Sequence, residues 1–256
     1  MRVGLCIGVQ NFSEFKNSRL DYFEMNLNQH AVISDDEYVT ALEKLVSSPI
    51  KPETASCFCP RDIKLCGKDY DEARLVEYVE KAFKRAQGLG INLCVIGSGA
   101  SRFVGEDENF DACIEQFIST LRLCGDIAEK YGITLVIEPL NHNETNVINT
   151  VEQAAQLCKR VAHPNVSILA DTYHMSVENE PLDTIIKYAD LIKHVHIAEP
   201  SERTYPICDD GYDYSKVVTV LKKADYTGRV TIEAIAKNDF VSEAMASIPY
   251  IKDVFK

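Results

Sequence analysis

Four short segments of this 256-residue chain, VIEPLNHNE, ADTYHM, HVHIAEP and TIEAI, each close a hydrophobic run with a side chain able to bind a metal: Glu138, Asp171, His196 and Glu233. Three carboxylates and one imidazole make a hard, mostly oxygen donor set. Such a set suits Mn²⁺ first, then Mg²⁺ or Co²⁺, better than a thiolate-type zinc site, although Zn²⁺ can also occupy it. One divalent ion held in this way acts as a Lewis acid toward carbonyl and hydroxyl oxygens, so the chemistry expected is that of a metal-dependent enzyme working on a small, oxygen-rich molecule such as a sugar. Taken singly, each residue has an ordinary explanation. Asp171, with Thr172 beside it, suits a helix N-cap, and a histidine in a strand is commonly hydrogen-bonded in a core. The recurrence carries the argument, because the four groups end four successive hydrophobic runs spaced by about one strand-plus-helix unit.

Positioning them requires a parallel barrel. Strand-length runs are read at Val3 to Val9, Tyr22 to Leu27, Thr54 to Phe58, Leu93 to Ile96, Thr134 to Ile137, Val166 to Ala170, Ile192 to Ile197 and Val230 to Ile232. Helical periodicity lies between them, over Asp35 to Val46, Asp71 to Leu89, Phe110 to Tyr131 with Gly132 as its stop, Val151 to Val161, Leu182 to Tyr188, Tyr214 to Lys223 and Val241 to Val254. Eight such units over residues 1–256 match the usual size of a (β/α)8 TIM barrel in one domain, with strands rich in Val, Ile and Leu because both faces are covered. A doubly wound open sheet has the same periodicity, but no GxGxxG follows the first strand. In His194-Val195-His196 the period of two sends both imidazoles to one face. His196 lies nearer the carboxyl end of its strand and is taken as the ligand, with His194 deeper.

Composition narrows the function classes. A formal charge of -12 opposes nucleic-acid binding, and no Lys/Arg run offsets it. The start MRVGLCIGV lacks a basic leader, and no apolar stretch approaches the ~20 residues that span a bilayer, so neither a membrane nor secretion is expected and the cytoplasm is the default. Most of the nine cysteines fall inside hydrophobic patterns as buried thiols, and Cys57-Phe58-Cys59 lacks the second ligand pair of a structural metal site.

At these residues the sequence resembles the xylose-isomerase-like TIM-barrel superfamily (sugar phosphate isomerase/epimerase), most closely its D-tagatose/D-psicose 3-epimerase branch. The resemblance covers nearly the whole chain and is most specific from Glu138 onward. It implies that Glu138, Asp171, His196 and Glu233 bind the metal. It further implies that Glu144, six residues after Glu138, and His174, three after Asp171, bind substrate, with Arg203 as the substrate arginine one position further from His196 than the epimerase spacing. The segment GSGASR is closer to isomerase-like relatives and makes Arg102 a substrate-contact candidate. A homodimer or homotetramer is also implied.

Inverting a carbon beside a carbonyl requires removing a weakly acidic proton and stabilising the resulting enediolate. Two carboxylates on opposite faces can exchange the roles of base and acid, and Glu138 and Glu233, ending strands well separated around the rim, suit that assignment, which the resemblance also implies. The expectation is a ketose 3-epimerase. Return of the proton to the neighbouring carbon would instead give an aldose–ketose or hydroxypyruvate-type isomerase. A phosphorylated substrate is less favoured, because the loops where barrels usually hold phosphate carry His196 and Glu233, with Arg203 and Lys237 as the available cations. Tyr205 and Phe103 are the aromatics available to pack on a sugar. Two other classes compete: an abasic-site endonuclease, which needs a basic face and more than six histidines, and a non-catalytic sugar-binding barrel.

Overall fold

Alternation along the strands determines which side chains face the barrel axis. In the computed structural model, which describes residues 1–46 and 48–256, eight parallel strands close on themselves in sequence order. They are β1 (Arg2–Ile7), β2 (Tyr22–Asn26), β3 (Pro52–Ser56), β4 (Leu93–Ile96), β5 (Thr134–Ile137), β6 (Val166–Asp171), β7 (Ile192–Ile197) and β8 (Arg229–Ile232). β1 pairs with β8 through Val3 opposite Val230, which closes the barrel and excludes the open sheet. The helices are α1 (Phe12–Phe15), α2 (Leu27–Val32), α3 (Asp35–Val46), α4 (Glu72–Leu89), α5 (Gly99–Arg102), α6 (Phe110–Lys130), α7 (Val151–Val161), α8 (Thr172–Val177), α9 (Thr184–Lys187), α10 (Ser215–Lys223) and α11 (Phe240–Val254).

Phe23 and Met25 of β2, Leu135 and Ile137 of β5, and Val230 and Ile232 of β8 belong to the main core between barrel and helices. The residues between them point the other way. Leu93, Val95, Val136 and Leu169 form a small apolar plug of their own, supplied by β4, β5 and β6. On the opposite side the interior is polar. The Tyr22 hydroxyl lies 2.7 Å from the Thr231 hydroxyl, and Glu24 takes hydrogen bonds from β7, bonds that join non-adjacent strands and so must cross the barrel interior. The strands are thus covered on both faces, as expected, but part of the inner lining is polar rather than aliphatic. Gly4 is part of the reason: a Cβ there would come within 2.4 Å of the Tyr22 ring, so only glycine lets that ring into the interior.

The long outer helices start where the sequence supplies a cap. Asp71 accepts from the Arg74 amide, Asn109 from Ala112, Thr150 from Gln153 and Asp239 from Ser242, each satisfying a free N–H of a first turn. Gly132, at φ 65°, lies two residues past the end of α6 and bonds back to the Glu129 carbonyl, as a helix stop should. Several strand ends differ from the sequence reading because a turn residue takes over. Gly8 leads out of β1, Asn26 caps α2 by accepting from the Gln29 amide at 2.9 Å, and Cys57, at φ 53°, ends β3 before Phe58. Among the described residues no helix is long and apolar enough to cross a membrane.

Candidate active site and metal centre

At the carboxyl ends of β5 to β8 the same alternation continues by one step. Val136 leads to Glu138, Leu169 to Asp171, His194 to His196 and Thr231 to Glu233. One donor atom from each of Glu138, Asp171, His196 and Glu233 lies within 4.8 Å of the others. His196 Nδ1 is 3.0 Å from Glu138 Oε1 and 3.3 Å from Glu233 Oε2. Gly97, just past β4, makes room for this: a Cβ there would stand 2.4 Å from Glu138 Oε2.

Asp171 is a helix cap and is also placed for the ligand role considered for it. Its Oδ1 caps α8 by accepting from the Tyr173 amide at 2.7 Å, while Oδ2 is buried with no hydrogen-bond partner. A buried carboxylate oxygen without a hydrogen bond is costly unless something positive meets it, and the nearby Arg203 guanidinium, 3.8 Å from Oδ2, is beyond hydrogen-bond reach. The donor chemistry and this orphan oxygen fit a hard divalent ion held by Glu138, Asp171, His196 and Glu233.

Electrostatics divides the two glutamates. Burial, reinforced by the Glu233 charge, holds Glu138 above the usual carboxylate range. Burial would raise Glu233 as well, but the His196 and Arg203 charges reverse this and hold it well below. Burial likewise opposes a charge on His196, yet Glu24 and Glu233 keep its affinity for protons well above that of free imidazole.

A cleft of about 600 Å³ opens over the cluster, lined by Glu138, Glu144, Arg203 and Glu233 on one side and by Asn28, Cys57 and Arg61 among others on the opposite side. Arg203, at φ 58°, reaches in with its guanidinium 2.6 Å from Glu233 Oε2 and 3.3 Å from Glu144 Oε1, and lies over the Tyr173 ring at 5.1 Å. His174 is buried, and its Nδ1 accepts from the Asn141 amide at 3.1 Å. Nε2 therefore carries the ring proton in the neutral form. It has no hydrogen-bond partner and sits 3.7 Å from Asp171 Oδ2. Asn141 also donates to Glu144 at 3.3 Å, a bridging role that sequence reading missed.

Arg102 is placed differently from the expected substrate contact. It is completely buried, and its guanidinium donates to the main-chain carbonyls of Ile96 at 3.1 Å and Glu138 at 2.7 Å. It ties together the chain ends leaving β4 and β5, and so supports Glu138 from behind. Burial lowers it to about 10, still protonated at neutral pH. Of the two aromatics, Tyr205 is buried and lines a smaller neighbouring cleft of about 320 Å³ that shares Glu233, whereas Phe103 is 51% exposed.

Glu24 of β2 is the other residue that sequence reading missed. It is fully buried and accepts from His194 Nε2 at 2.6 Å, His196 Nε2 at 2.8 Å, Thr54 Oγ1 at 2.7 Å and Thr231 Oγ1 at 2.8 Å. Cys6 stands with Glu24 and His196 in a second grouping, and burial holds its thiol well above its ordinary range.

Eight parallel βα units with a histidine-containing acidic cluster on the carboxyl-terminal rim define a barrel with its site where such barrels keep theirs. The family model described as xylose isomerase-like TIM barrel matches residues 15–253, and the chain belongs to that family. It is 31% identical over 120 residues to an L-ribulose 3-epimerase of Methylomonas sp. (strain DH-1), covering 46% of this chain and 41% of that protein, so the chain spans about two fifths of that relative's length. It is 32% identical over 162 residues to the hydroxypyruvate isomerase of Escherichia coli (strain K12), 60% of each. A solved D-allulose 3-epimerase from Methylomonas sp. in complex with D-allulose has the same fold, with a TM-score of 0.87 at 19% identity over 99% of this chain and 96% of the other.

Proposed function

We propose that this chain is a divalent-metal-dependent ketose 3-epimerase, acting in the cytoplasm on a small sugar. The observation that carries the reading is the convergence of donor atoms of Glu138, Asp171, His196 and Glu233 within 4.8 Å of one another, with Glu138 and Glu233 lining an open cleft. The likeness to an L-ribulose 3-epimerase supports the same reaction class.

A divalent ion bound by those four residues supplies Lewis-acid stabilisation of negative charge on the substrate's carbonyl and adjacent hydroxyl oxygens. The remaining work falls to side chains. One of Glu138 and Glu233 takes the proton from C3, the electron pair of the broken C–H bond moves into the C2–C3 bond, and the carbonyl electrons move onto O2. The other returns a proton to C3 from the opposite face, regenerating the carbonyl with inverted stereochemistry, and the roles exchange in the reverse direction. The two glutamates come from β5 and β8, and their environments differ: Glu138 Oε2 faces Gly97, whereas Glu233 Oε2 faces Arg203. Arg203 is permanently charged and holds Glu233 in register. His174 offers its free Nε2–H, and Glu144, bonded to both Arg203 and Asn141, offers a carboxylate to substrate hydroxyls. A site built to pair a hydroxyl discriminates strongly against a substrate lacking it.

A second reading is favoured by one observation, the 32% identity to a hydroxypyruvate isomerase over 60% of each chain. In that case the proton moves between neighbouring carbons. Incubation with ketoses in D2O under Mn²⁺, followed by proton NMR, separates the two. Deuterium entering at C3 with the 3-epimer appearing supports epimerisation. Deuterium entering C1 or C2 with an aldose product supports isomerisation and overturns the first reading.

A further inference from the structure

We propose that Glu24, which lies outside the ligand set, is a positioning residue for the metal centre: it fixes the ring tautomer of His196, so that Nδ1 and not Nε2 is presented to the cation. The inference rests on the proposed function only in requiring that the site hold a divalent ion.

The hydrogen-bond count leads to this assignment. An ionised carboxylate only accepts, and has about four acceptor positions. Glu24 has four donors within 2.8 Å: two hydroxyls and two imidazole nitrogens. Thr231 gives its single proton to Glu24, so Tyr22 must donate to Thr231, and the chain of donors leads inward to one carboxylate. The Nε2 atoms of His194 and His196 must therefore both carry hydrogen. For His196 this leaves Nδ1 as the ring nitrogen directed at Glu138 Oε1 and Glu233 Oε2, at 3.0 and 3.3 Å. Without a cation a second proton on Nδ1 meets these carboxylates, and a bound divalent ion would take that proton's place while Nε2 keeps its hydrogen bond to Glu24.

Burying a charge as deeply as Glu24 is costly, whereas hydrogen bonds to a charged group are stronger than those between neutral partners. Four such bonds offset the cost. A glutamine would not restore the arrangement, because its amide NH2 would meet an imidazole N–H, forcing one ring to turn or to adopt the other tautomer.

Two measurements on the full chain test the assignment without using turnover. The first is a histidine-ring ¹⁵N–¹H correlation spectrum of the Zn²⁺-loaded wild-type protein. The expected pattern for His196 is a protonated Nε2 and a metal-shifted Nδ1, and a protonated Nδ1 with the metal on Nε2 overturns the proposal even if no variant folds. The second is Mn²⁺ affinity by chelator competition in Glu24→Gln. The expected result is a loss of about 10–100-fold at a temperature where circular dichroism shows the variant folded. A variant with a lower melting temperature but wild-type Mn²⁺ affinity would make Glu24 merely structural and overturn the proposal. Absence of ketose turnover beside the expected spectrum and affinity would remove the epimerase reading and leave this assignment standing.

Discussion

At the scale of single residues, the account depends on where a few oxygen atoms point. Replacing either Glu138 or Glu233 with glutamine preserves shape and removes a proton-transferring group, so kcat should fall by about 10²–10⁴ with the fold intact; full activity in either variant contradicts the acid–base pair. Gly97→Ala is a finer probe. Its methyl would arrive 2.4 Å from Glu138 Oε2, and because that atom ends a flexible side chain, the carboxylate should swing aside rather than the barrel unfold. Steady-state kinetics should show a loss of about 10–100-fold in kcat while the melting temperature stays nearly constant. The four strand-ending residues were legible in the sequence because each interrupts a hydrophobic run at a recurring interval. Glu24 was not. It sits between Phe23 and Met25 in what reads as an apolar strand, and its histidine partners lie some 170 residues away. The available signal was the charge itself, since a carboxylate inside an all-buried strand must have a partner. Arg102 illustrates the converse: GSGASR drew attention to the right place, but a guanidinium engaged by two main-chain carbonyls supports the site instead of lining it.

At the scale of elements, strand cores and long helices were legible almost to the residue, because periodicity and caps agree; β4, β5, β7, α3 and α7 match the sequence reading at both ends. What periodicity could not show were short pieces defined by hydrogen bonds, such as α2 and α8. The end of α2 is held by Arg85 of α4, a buried arginine, which donates to the His30 and Ile33 carbonyls at 2.7 and 2.8 Å and pairs with Asp35. This arrangement makes His30 sensitive to acid. Both of its ring nitrogens are buried and unbonded, and burial, with the Arg85 charge nearby, lowers it from 6.5 to about 4. Between those values the unfolded chain takes up a proton at His30 that the folded chain does not. Stability therefore falls as pH drops through 6.5, and the loss, ~3 kcal/mol from this group, is complete once pH passes 4. Urea melts at several pH values should show that decline in wild type and a shallower one in His30→Leu; parallel curves would remove His30 as its source.

At the scale of the whole molecule, the closed parallel barrel explains why residues spread over nearly a hundred positions meet at one site: β5 to β8 are neighbours in space as well as in sequence, and their carboxyl ends share one rim. The sequence could propose closure from eight repeating units but not demonstrate it, since an open sheet has the same period. The charge of -12 argues against the nucleic-acid alternative, and no cleavage of abasic DNA is expected under conditions that support ketose turnover. Because the four proposed ligands come from four strands, a bound ion would also tie the barrel together. At an Mn²⁺ concentration 100 times Kd it should add about 2.7 kcal/mol of stability, seen as a higher melting temperature that chelation reverses. All of this depends on the four rim residues forming one cation site. The most direct measurement is calorimetric titration of metal-free protein with Mn²⁺, beside the Asp171→Asn variant. The account predicts about one ion per chain in the wild type and binding lost or greatly weakened in the variant, whose neutral amide no longer supplies the orphaned charge. Absence of binding in the wild type, or equal binding in the variant, would contradict it.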